Sequence, residues 1–165
     1  MSFSIRNKRQ PFVTGTYNPS ASVYGSFSSS VSQDLSSGQI LKILYNTIDI
    51  SASGVYCILP SPQIYVQSSG TFKVLSSLQC DRTTSGNSTI NMWISINNNA
   101  VPNSATRVVI NQASESLMTV EWFINLNVGD FITIDLYSST SGARALAIPS
   151  SGPVPLIPSI ITTIP

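Results

Sequence analysis

The 165-residue chain contains no histidine. That absence removes the commonest general base at neutral pH and the commonest metal ligand together. Cysteine is almost missing too. Cys57 and Cys80 are the only two, and two thiolates do not complete a structural zinc site. Charge is scarce, at 9% Asp, Glu, Lys and Arg with a net of +1, so no overall field draws the chain to nucleic acid or to a membrane surface. Nowhere do about 18 apolar residues run together, so no membrane-spanning helix is expected. Met1-Ser2-Phe3-Ser4-Ile5-Arg6 lacks the apolar run of a secretory signal, and the expectation is a soluble chain not exported by a cleaved leader. The seven carboxylates are Asp34, Asp49, Asp81, Glu115, Glu121, Asp130 and Asp135, and no two fall within three residues of each other. No local calcium loop is expected from that spacing. Gly-x-Ser-x-Gly, phosphate-cradling glycine loops and aromatic platforms interleaved with basic residues are all missing. The chain therefore reads as a non-enzyme with no catalytic residue, no cofactor and no metal site.

What is abundant points one way. Serine, threonine and asparagine supply 55 residues, a third of the chain, with ten prolines and nine glycines spread among them. These side chains compete with a helical backbone but suit turns and solvated strand faces. The composition predicts an all-β domain with many loops. Period-two alternation is clearest at Met118, Val120, Trp122, Ile124 and Leu126, with Thr119, Glu121, Phe123 and Asn125 between them. Asn127-Val128-Gly129-Asp130 reads as a tight turn. Ile132, Ile134 and Leu136 then alternate with Thr133 and Asp135. Two alternating strands around a short glycine-containing turn predict an antiparallel hairpin. Glu121 and Asp135 would share its polar face as ordinary solvated positions.

Along the rest of the chain, residues 1–23 differ in character. Arg6, Lys8 and Arg9 are three of the eight basic residues, set among Pro11, Gly15 and Pro19. Phe3, Phe12 and Tyr17 offer apolar anchors. This segment is expected to be a basic arm that docks on a neighbouring subunit, with the folded domain over 24–165. A first strand is expected from Tyr24 through Gln33, with Phe27 and Val31 on one face. Others are expected over 40–45, 55–59 (an edge, closed by Pro60 and Pro62), 63–67, 71–80, 89–97, 106–112, 143–148 and 159–164. About ten short strands without a helix are the signature of an antiparallel β-sandwich or barrel. Cys80 is in phase with Phe72, Val74 and Leu78 and reads as a buried free thiol; a Cys57–Cys80 disulfide is the alternative. Trp93 and Phe123 point out of phase with the main apolar faces of their strands, which marks them as candidate subunit-interface residues.

Several segments resemble one family in order. They are Tyr24-Gly25-Ser26-Phe27, Gly70-Thr71-Phe72-Lys73-Val74, Trp93-Ile94-Ser95-Ile96-Asn97-Asn98, Val101-Pro102-Asn103-Ser104 and Leu126-Asn127-Val128-Gly129-Asp130-Phe131-Ile132. The pattern is similar to the jelly-roll head shared by complement and tumour-necrosis-factor proteins, in the version found in structural proteins of large DNA viruses and bacteriophages. It covers roughly residues 24–164. The chain departs from the animal members, having no collagen-like or membrane-anchored stalk and no cluster matching their calcium ligands. It is also too short for a double jelly roll. The resemblance implies a single jelly roll of about 8–10 strands that acts as a binding or assembly module. The expected function is a virion structural protein, at a capsid vertex (penton) or in a minor capsid position. Its expected partners are copies of itself, with a pentamer favoured over a trimer, and other capsid proteins. The rival reading is a receptor- or glycan-binding head of a viral or phage fibre, a trimeric lectin-like module, using loops 81–88 or 97–104.

Overall fold

A computed structural model describes residues 23–112 and 114–165. The expected arm residues Phe3, Arg6, Lys8, Arg9, Phe12 and Tyr17 lie outside the described residues. The first strands are β1 (Tyr24–Ser29), β2 (Gln33–Asp34), β3 (Ile40–Lys42), β4 (Thr47–Ser53) and β5 (Val55–Tyr56). They lead to β6 (Ile64–Val66), the long β7 (Gly70–Arg82), β8 (Asn87–Ile96) and β9 (Asn99–Ala100). The chain closes with β10 (Thr106–Asn111), β11 (Ser116–Leu126), β12 (Phe131–Ser138), β13 (Ala143–Ala145) and β14 (Ile160–Ile164). The described residues contain no helix.

Two antiparallel sheets face each other as a jelly-roll sandwich. The first runs β2-β13-β7-β14-β1-β4, with β11 along the other side of β7. The second runs β10-β8-β12-β6-β5, with β3 also paired to β12 and β9 to β8. The expected edge strand is there: β5 ends the second sheet. Alternation decides which side chains enter the space between the sheets. In β7, Phe72, Val74, Leu78 and Cys80 turn inward, and in β11 Met118, Trp122, Ile124 and Leu126 do the same. Across the core stand Ile90, Met92 and Ile94 of β8 and Ile132, Ile134 and Leu136 of β12, all fully buried. Burial of this kind stabilises by about 25 cal/mol per Å² of apolar surface and sets the register, because a one-residue slip would turn each inward set outward.

The hairpin expected at residues 117–138 is not one. β11 pairs with β7 in the first sheet, whereas β12 pairs with β8, β6 and β3 in the second. The alternation is as expected, but the two apolar faces look at each other across the core instead of lying side by side. The turn between them bridges the layers. Val66 N–H donates to Asp130 O at 2.9 Å and Gly129 N–H to Val66 O at 2.9 Å, while Val128 N–H donates to Ser69 Oγ at 2.9 Å. Val66 belongs to the second sheet and Ser69 leads into β7, so the turn is tied to both. Gly129 takes φ +87° within it, a left-handed conformation open to glycine at little cost.

The first strand is also shorter than expected. It ends at Ser29, and Val31 is 51% exposed instead of sharing the buried face of Phe27. Ser30 N–H donates to Asn46 Oδ1 and Gln33 Nε2 to Leu44 O, so side chains take over the backbone bonds and bend the chain toward β2. Both cysteines are buried free thiols, and the disulfide alternative is not formed. Cys80 Sγ–H donates to Ser116 O at 3.4 Å and Cys57 Sγ–H to Ser61 O at 3.7 Å.

Candidate functional site

Two surfaces carry the features that a function needs, one on the outer face of each sheet. On the first sheet the outward residues of β11 are Leu117, Thr119, Glu121, Phe123 and Asn125, beside Lys73, Leu75 and Ser77 of β7 and Ile161 and Thr163 of β14. Phe123 is 69% and Leu117 64% exposed, and Ile161 is partly open. The charged groups on the outer face of this sheet include Asp81 of β7, to which Arg144 of β13 donates at 2.6 and 2.8 Å. Lys73 Nζ and Glu121 Oε2 pair at 2.7 Å, and Asp49 of β4 accepts from Ser26 Oγ at 3.3 Å and from Ser28 Oγ at 2.7 Å. The Lys73–Glu121 pair stands in the middle of the face, Glu121 opposite Leu75 and Lys73 opposite Phe123, with hydroxyl and hydrocarbon groups around it.

On the second sheet a pocket of about 530 Å³ is lined by Ile40, Lys42, Trp93, Ser95, Asn98, Ala100 and Asp135. Its floor follows from strand register. Asp135 of β12 lies opposite Lys42 of β3 on one side and Trp93 of β8 on the other. In the next row Thr133 lies opposite Ser95, which in turn lies opposite Ala100 of β9. Asp135 was expected as a solvated strand residue close to Glu121. It is 3% exposed, on the opposite sheet, and the two carboxylates do not form a pair. A buried carboxylate needs donors to offset lost hydration. Ser95 Oγ donates to Oδ2 at 2.7 Å, Thr133 Oγ1 to Oδ1 at 2.7 Å, and Lys42 Nζ stands 3.4 Å from Oδ2.

The two candidate interface residues therefore occupy different surfaces. Phe123 stands on the outer face of the first sheet, and Trp93 forms a wall of the second sheet's pocket. Of the two candidate binding loops, 81–88 is largely spent on itself. β7 runs on to Arg82 and β8 starts at Asn87. Arg82, nearly buried, donates from Nε to Thr84 O at 3.0 Å and from Nη1 to Asn87 O at 2.9 Å and Thr140 Oγ1 at 3.0 Å. Loop 97–104 contributes Asn98 and Ala100 to the pocket. Sequence reasoning missed Ile40, Lys42, Ser95 and Asp135 as a group, since cross-strand rows join positions 40 to more than 90 residues apart. One signal was present: an acidic residue in a strand otherwise suited to the middle of a sheet.

The thiols are poor nucleophiles. Burial pushes Cys57 up to about 11, and burial, with Asp81 nearby, pushes Cys80 up to about 12. Among the described residues no three His, Cys, Asp or Glu side chains are grouped so as to hold a metal ion.

No family model matches the chain, and no curated protein matches its sequence. Solved structures do match its fold. Murine APRIL superposes with a TM-score of 0.55 at 10% identity, covering 86% of this chain and 97% of that one. Eiger TNF from S. frugiperda gives 0.54 at 11% identity, over 86% and 90%. The globular domain of zebrafish complement 1qA protein gives 0.51 at 9%, over 86% and 93%. At such identities the likeness is one of architecture, and the architecture is the TNF- and C1q-like jelly-roll sandwich.

Proposed function

We propose that this chain is a virion structural protein, a single jelly roll that packs against copies of itself in a symmetric ring at a capsid vertex or in a minor capsid position. The observation that carries the reading is the outer face of the first sheet, where Leu117, Phe123 and Ile161 stand exposed and the charges of β7 and β11 are paired within the chain, Lys73 with Glu121 and Asp81 with Arg144. Interface cores are rich in aromatic and aliphatic contacts, and exposed apolar side chains beside charges that are already paired suit a neighbouring copy. The viral-type order of segments from Tyr24-Gly25-Ser26-Phe27 to Leu126–Ile132 supports the virion setting. The role is non-catalytic. Electron microscopy of virions made without this chain tests the setting: altered or incomplete particles are expected, and intact, unchanged particles contradict it.

A further inference from the structure

We infer that the pocket on the outer face of the second sheet binds a neutral, hydroxyl-rich ligand of the saccharide class, stacked on Trp93 and hydrogen-bonded to the Asp135–Lys42–Asn98 side. The pocket's volume of about 530 Å³ lies inside the roughly 300–1,000 Å³ typical of small-molecule sites. Its charges decide the ligand class by elimination. Lys42 and Asp135 are the charged residues of the lining, and their charges cancel. An anion would meet Asp135, and a cation would meet Lys42. A wholly apolar ligand would strip water from Lys42 and Asn98 without replacing its hydrogen bonds. A polyol escapes all three penalties, because each hydroxyl both donates and accepts.

The groups needed to hold such a ligand are in place. Lys42 stands 3.4 Å from Asp135 Oδ2 on a partly exposed side chain, so its ammonium can turn outward and donate to a ligand hydroxyl that takes its place beside the carboxylate. Asn98 sits at the rim with φ +67°, and neither its amide nor the Trp93 indole N–H has a hydrogen-bond partner among the described residues. Ser95 and Thr133 hold the carboxylate from below, which fixes its orientation before any ligand arrives. Two strand spacings separate the lysine and tryptophan rows, about 10 Å, wide enough for a sugar ring to span the Asp135 row. The pocket and the proposed assembly face lie on opposite sheets, so this inference stands or falls apart from the ring.

Trp93 is also the natural reporter. Trp122 is the chain's other tryptophan; it is buried, and its Nε1–H donates to Ser104 O at 2.9 Å. Tryptophan emission of the full chain is titrated with galactose, glucose, mannose, N-acetylglucosamine and lactose, and separately with inorganic phosphate and with choline. At least one neutral sugar is expected to shift the emission with a Kd on the order of 1 mM or tighter, while phosphate and choline do not bind at that level. Calorimetry on the variants locates the site. Trp93→Ala, which removes the stacking wall, and Ala100→Trp, which fills the pocket, are each expected to weaken binding by about tenfold or more, with binding by Ile58→Ala, an exposed site outside both surfaces, unchanged. Ala100 is exposed in a two-residue strand, so its variant keeps the fold even if Trp93→Ala melts early. Absence of binding by every sugar overturns the inference, as does preferential binding of phosphate or choline, or sugar binding that survives Ala100→Trp.

Discussion

Buried hydroxyls and thiols set the chemistry of single residues in this core. Tyr45 and Thr162 hydroxyls bond at 2.8 Å, and Ser76 Oγ and Thr162 Oγ1 at 2.7 Å, all three residues fully enclosed. Thr162 is the shared partner. Thr162→Val keeps the shape but leaves two buried hydroxyls unpaired, so a loss of about 1–3 kcal/mol is expected in urea unfolding; an unchanged midpoint would mean that Tyr45 and Ser76 re-pair. Trp122→Ala removes a large core aromatic together with its bond to Ser104, and a loss of about 3–5 kcal/mol is expected. Melting within a degree or two of wild type would show that the even-numbered face of β11 is not buried. The thiols and the phenol also make a pH prediction. Burial raises Cys57, Cys80 and Tyr45 above their ordinary 9.0 and 10.0, so between pH 9 and the raised values the unfolded chain has released protons that the folded chain keeps. The folded state then binds more protons, and stability falls as pH rises. Melting temperature is expected to decline from about pH 9 upward, and less steeply in a Cys57→Ala, Cys80→Ala double variant.

Elements were legible in the sequence where alternation was long, and partners were not. The inward sets of β7, β8, β11 and β12 follow directly from period two. The pairing of β11 with β12 did not follow, because a hairpin and a crossing between layers present the same alternation and the same short glycine turn. What separates them is the set of bonds from Val66, Ser69 and Asn97 to the turn, made by residues 33 to 64 positions away. Similarly, the pocket's aromatic wall was visible as an out-of-phase Trp93, while its floor depended on the Lys42–Asp135–Trp93 row. The turn itself can be probed. Gly129 has open space where a Cβ would stand, so Gly129→Ala tests backbone conformation alone, and a loss of about 1–2 kcal/mol is expected for a left-handed alanine. An unchanged unfolding midpoint would show that the turn relaxes freely. Asp130 completes the turn. Its carboxylate accepts from Asn127 N–H and Asn97 Nδ2–H, both at 2.7 Å, which holds its pKa below the ordinary value. That contribution is present above the ordinary carboxylate range and is lost as pH falls through the lowered value.

At the scale of the whole molecule, the sandwich offers two outer faces with different chemistry. One carries exposed apolar side chains beside paired charges; the other holds a largely apolar pocket with an aromatic wall and a single Lys–Asp pair. A ring of the proposed kind joins the first face of one copy to a different surface of the next. Assembly through the first face is tested by native mass spectrometry of the whole chain beside an Ile161→Asp, Phe123→Ser variant. A discrete closed oligomer is expected, five copies for a vertex ring, that falls to monomer in the variant while far-UV circular dichroism stays the same. Three copies would redirect the reading to a fibre head. A wild-type chain that remains monomeric at every concentration, or an oligomer indifferent to the two substitutions, would contradict it.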